Sequence, residues 1–77
     1  MAMKLADYDA VMAELHAAEQ NFPPMRSEHE GYAILLEEVE ELWDEIKKSP
    51  KKRDRAALRK EAIQVAAMAI RFISDLT

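Results

Sequence analysis

The 77-residue sequence contains no cysteine, one glycine and three prolines. Without cysteine there is no disulfide staple, no thiolate nucleophile and no Cys-ligated zinc or iron–sulfur site. So few glycines and prolines leave little room for tight turns, which argues against a many-stranded sandwich or barrel. The longest apolar run, Val65 to Ile70, falls far short of the roughly 20 residues that span a bilayer. The N-terminal stretch does not read as a signal peptide, because Asp7 and Asp9 lie where an apolar segment would have to sit. There is no Ser/His/Asp constellation and no glycine-rich phosphate loop. These absences lead to the expectation of a cytoplasmic protein without a membrane partner.

What is present favours helix. Apolar residues make up 49% and charged residues 34% of the chain, a balance that folds. Thirteen alanines and many Leu, Glu and Lys residues are good helix formers. Leu5, Tyr8, Val11, Met12, Leu15 and Ala18 recur at helical spacing and predict a helix over about 5–20, ended by Pro23-Pro24. Ser27 with Glu30 is a capping-box pattern and opens a second helix over about 28–48, which stops at Ser49-Pro50. A third runs over about 54–76, with Asp54 as its N-cap. The two connections are short, so sequential helices should lie antiparallel. The predicted fold is all-α, one domain over 1–77.

Helix three is apolar almost all round, and a helix of this kind is buried on more than one face. Three short helices cannot surround it. A chain this small without a disulfide usually needs a partner, so the expectation is a homodimer or homotetramer that completes a helical bundle. On helix two, Tyr32, Leu35, Leu36, Val39, Leu42, Trp43 and Ile46 fall on one arc of the wheel, which predicts Tyr32 and Trp43 in the core. Met12, Met25 and Met68 read as packing residues, and Gly31 either permits close helix approach or is simply tolerated.

Charge is segregated. The net charge is −4, yet eight acids and no base lie between Glu28 and Glu45, and eight bases with one acid lie between Lys47 and Lys60. The overall acidity disfavours a nucleic-acid partner. On helix two, Glu37, Glu38, Glu40, Glu41, Asp44 and Glu45 form six like-charge pairs at three- or four-residue spacing, together unfavourable by roughly 1–3 kcal/mol before screening. A divalent cation reverses that sign, and Mg²⁺ takes oxygen ligands of this kind. A solvated acidic face balanced by the basic loop is the plainer alternative. Glu61 sits inside the apolar stripe of helix three, where an unpaired carboxylate is expensive. It needs a base such as Arg26 or Arg71, or else a cation or proton shared with Glu38 and Glu41 of a facing helix.

The run Glu37-Glu38-Val39-Glu40-Glu41-Leu42, with 19 residues between Glu41 and the following Glu61-Ala62-Ile63-Gln64, resembles the MazG-like all-α nucleoside triphosphate pyrophosphatases. Their signature is EExxE, a spacer, then ExxD. The resemblance covers about Glu28 to Leu76. It implies an oligomeric helical domain that binds Mg²⁺, or Mn²⁺ in its place, and hydrolyses nucleoside triphosphates to monophosphate and pyrophosphate. Carried over, Glu38, Glu41 and Glu61 are metal ligands, with Gln64 at the fourth position, where the family has Asp. Glu37 and Glu45 are candidates for ordering a second metal or the attacking water. Lys47, Lys48, Lys51 and His29 are candidates for meeting the nucleotide and its phosphates. The amide of Gln64 ligates Mg²⁺ without bringing charge, a feature that favours the alternative of a catalytically weak or inactive helical module for oligomerisation or partner binding.

Overall fold

The computed structural model describes residues 4–77 and consists, over that range, of three helices: α1 (Leu5–Asn21), α2 (Glu28–Ile46) and α3 (Arg55–Leu76). The boundaries lie within two residues of those expected from the sequence. No described helix is long and apolar enough to cross a membrane.

Local chemistry sets the helix ends. Ser27 Oγ accepts from the Glu30 amide at 3.1 Å, which is half of the expected capping box. The other half is redirected: Glu30 accepts from the Arg26 amide and holds the Arg26 guanidinium at 2.9 Å. Asp54 caps α3 through the Ala56 amide at 2.9 Å. At the other end of α2, Arg53 Nε donates to the Ile46 carbonyl at 2.8 Å, so the basic connection satisfies one of the carbonyls that a helix C-terminus leaves free.

The central element is α3. It packs against both other helices, whereas no Cα of α1 comes within 8 Å of a Cα of α2. Asp7 pairs with Arg59 at 2.6 Å, and Arg71 donates to the Pro23 carbonyl at 2.9 Å, so α1 and α3 run parallel. Gly31 meets Phe72 and Leu76, and Arg53 reaches Ile46, so α2 and α3 run antiparallel. The direction expected from the short connections is therefore present, but α1 and α2 splay apart over the floor that α3 provides. At Gly31 an added Cβ would stand 2.6 Å from Phe72 Cδ2 and 2.7 Å from Leu76 Cδ1. Close approach of α2 to α3 is what this glycine permits.

The core is small. Leu15, Ala18, Ala67 and Met68 form its buried centre, with Val11, Ile34, Leu35 and Ile70 packed around it. The radius of gyration is 13.3 Å, above the roughly 11–12 Å of a compact chain of this length. Two expectations about the core need correcting. Tyr32 and Trp43 are 63% and 56% exposed rather than buried, and Met12 is exposed while Met25 and Met68 are buried. The reason is where α3 meets α2. The contact runs along Gly31, Leu35, Glu38 and Leu42, at the edge of the apolar arc, and leaves Tyr32, Leu36, Val39, Trp43 and Ile46 outside it. Those five residues repeat at intervals of four and three, the spacing of a coiled-coil seam. Ala62 and Ile73 of α3 are exposed as well.

Candidate functional site

The antiparallel pairing of α2 with α3 brings three carboxylates together. Glu38 and Glu41 project from α2 one turn apart, and Glu61 faces them from α3. One oxygen from each lies within 4.8 Å of the others. Glu38 and Glu61 are half-buried and Glu41 is exposed. The cations considered as partners for Glu61 are engaged elsewhere: Arg26 with Glu30, and Arg71 with the Pro23 carbonyl and, at 4.0 Å, Asp75. Glu61 Oε2 is buried with no hydrogen-bond partner.

Electrostatics follow from that crowding. Burial, then the charge of the neighbouring Glu41, then the charges of Glu61 and Glu37, push Glu38 up to about 7. Glu61 is also raised, by burial first and Glu41 second, with Lys60 opposing. Each group is therefore held in a place that disfavours its charged form. A cation among the three would remove both penalties. The donor set is all oxygen, which suits a hard divalent ion such as Mg²⁺, and the unpaired Oε2 is a ready ligand atom.

Beside these carboxylates lies a cavity of about 390 Å³. It exists because α1 and α2 diverge over α3. Glu14 and Ala18 line it from α1, Phe22, Pro23 and Arg26 from the connection, Glu30, Ile34, Glu37 and Glu38 from α2, and Gln64, Met68 and Arg71 from α3. Glu38 thus belongs to both the carboxylate cluster and the cavity wall, and Gln64, half-buried, lies one turn beyond Glu61 along the same wall.

Other residues singled out in the sequence fall elsewhere. Lys47 pairs with Asp44 at 2.9 Å on the exposed side of α2's last turn, and Lys48 pairs at 3.0 Å with Glu45, which is half-buried towards Glu61. Lys51 is exposed in the connection, and His29 is exposed in the first turn of α2; neither lines this cavity. Sequence reasoning considered Arg71 only as a partner for Glu61. It is in fact 4% exposed and forms part of the cavity wall. The signal was available: Arg71 is the only charged residue between Ala62 and Ile73, and it sits one turn from Ala67 and Met68. No protein-family model, curated protein or solved structure matches this chain.

Proposed function

We propose that this chain is a divalent-cation-dependent nucleoside triphosphate pyrophosphohydrolase of MazG-like type, acting as a homo-oligomer. The observation that carries the reading is the meeting of Glu38, Glu41 and Glu61 within 4.8 Å, with Glu61 Oε2 buried and unpaired. Glu38, Glu41 and Glu61 hold the ion, and Gln64 offers a neutral amide oxygen from the next turn. When bound, Mg²⁺ or Mn²⁺ neutralises phosphate oxygens and acidifies a bound water. Glu37, on the cavity wall beside Glu38, and Glu45, close enough to bear on Glu61, are the carboxylates that would order a second metal or accept hydrogen bonds from the attacking water. The reaction class that fits is in-line attack on a phosphoryl group, in which positioning and charge compensation supply most of the catalysis.

Self-association has its own support. The exposed seam of Tyr32, Leu36, Val39, Trp43 and Ile46 has the regular spacing that a second helix covers, and the small core leaves the chain short of buried apolar surface. Burial of this seam against a second copy is the oligomer we infer. The same seam, with Gln64 in place of an acid, supports the second reading: a helical module that keeps the fold for assembly and has lost turnover.

The test is a panel of canonical and modified nucleoside triphosphates incubated with the pure protein and Mg²⁺ or Mn²⁺, with pyrophosphate assayed. Release of monophosphate and pyrophosphate is expected, lost in Glu38→Gln and Glu61→Gln. Silence across the panel leaves the module reading. Unchanged turnover in both variants removes the site assignment.

A further inference from the structure

We propose that the cavity over α3 seats the nucleobase, with Phe22 stacking on its face and Arg71 donating to its edge. The inference rests on the nucleotide reading above and assigns residues that neither the sequence motif nor the carboxylate cluster includes.

The volume, about 390 Å³, lies in the range of small-molecule pockets. Its walls suit a flat heteroaromatic ring better than a phosphate tail. Ala18, Ile34 and Met68 provide apolar surface, and Glu14, Glu30, Glu37 and Glu38 outnumber Arg26 and Arg71, so the wall is net acidic and repels a phosphate tail that carries no cation. A base offers two apolar faces and one polar edge, the pattern the walls match. Phe22 follows the last turn of α1, lines the cavity and is 62% exposed. An exposed aromatic ring on a cavity wall offers a face on which a base of any identity can stack.

Arg71 supplies the edge recognition. Its Nη2 donates to the Pro23 carbonyl at 2.9 Å and its Nη1 reaches Met68 Sδ at 3.7 Å. Its Nε–H is buried and donates to nothing. A buried donor without an acceptor is unfavourable; Arg71 forms part of the cavity wall, and a small shift of its side chain on binding would bring this donor to a base carbonyl or ring nitrogen. The spacing agrees. Arg71 and Glu61 are ten residues apart on one helix, about 15 Å along its axis. Gln64 and Met68 occupy the turns between them. A nucleoside triphosphate laid along α3 with its base at Arg71 brings its phosphates to the carboxylate cluster.

The experiment follows ¹H–¹⁵N spectra of the metal-free protein, including the arginine Nε–H region. Guanosine, uridine, cytidine and adenosine are added in one series and inorganic tripolyphosphate in another. At least one nucleoside is expected to shift the Arg71 Nε–H and the Phe22 amide. Phe22→Ala, which alters an exposed side chain, is expected to weaken that nucleoside by about five- to a hundredfold. The proposal is overturned if no nucleoside moves either resonance, or if tripolyphosphate moves them instead. This binding requires neither metal nor turnover. An inactive protein that binds nucleosides here removes the hydrolase reading alone. An active one whose KM ignores Phe22→Ala removes the base seat alone.

Discussion

Replacing Glu38 by Gln should make the metal-free protein more stable, and the gain should depend on pH. A Glu carboxyl ordinarily titrates near 4.5, whereas Glu38 is pushed up to about 7 by burial and by Glu41. The folded chain therefore holds this proton more tightly than the unfolded chain does. Stability is full below pH 4.5, falls as the pH rises towards 7, and is level above it. At about 1.36 kcal/mol per pH unit the gap amounts to at most about 3 kcal/mol. Glu38 is partly solvent-exposed, so screening reduces this to about 1–2 kcal/mol. Glu38→Gln keeps the shape and removes the charge. In EDTA at pH 8 its melting temperature should exceed that of the parent by roughly 4–16 °C. At pH 4.5 the two should converge. Adding Mg²⁺ at pH 8 should raise the parent and leave the variant nearly unmoved. Asp7, lowered by Arg59, and Glu30, lowered by Arg26, titrate below this window and do not blur it. Equal melting temperatures at pH 8, or a parent as stable at pH 8 as at pH 5, would refute the convergence of carboxylates on which the metal site depends.

Two further outcomes are expected. Gly31→Val places its Cβ and branches where Phe72 and Leu76 already stand, less than 3 Å from that Cβ; it should destabilise by about 1–3 kcal/mol through overpacking, read by urea denaturation, and a neutral result would mean that α2 and α3 do not approach so closely. Val39→Arg puts a charge in the middle of the exposed seam without touching the core, and light scattering after gel filtration should show a smaller species with an unchanged helical spectrum; a parent protein already monomeric at low micromolar concentration would contradict assembly through this face.

The helices themselves were legible because proline and capping residues punctuate the chain, and the structure follows them to within two residues. The carboxylate cluster was legible for a different reason. Glu61 stands out as a charge in an apolar stripe, and an antiparallel hairpin brings it to Glu38 and Glu41. The buried face of α2 was not legible. A helical wheel displays an apolar arc but does not reveal where a neighbour crosses it, and here the contact line passes through Gly31 and Glu38 at the arc's margin. Tyr32 and Trp43 were misplaced for that reason. Lys47 and Lys48 fit either phosphate contact or balance of the acidic face in the sequence, and in the structure they pair with Asp44 and Glu45. Arg71 stood out as a lone charge in an apolar stretch, but its contact with the Pro23 carbonyl depends on the path of the connection after α1, which charge patterning does not give.

The central place of α3 also bears on how the chain is made. Of the three helices α1 is translated before the others, yet its docking surface belongs to the third. The nascent α1 must wait with its apolar side uncovered until α3 arrives, while α2 and α3, joined by a short link, can zip up at once through local contacts that close quickly. Maturation would then run backwards along the polypeptide, the hairpin condensing first and the leading helix joining afterwards, and the cleft between α1 and α2 would be the last feature to take shape.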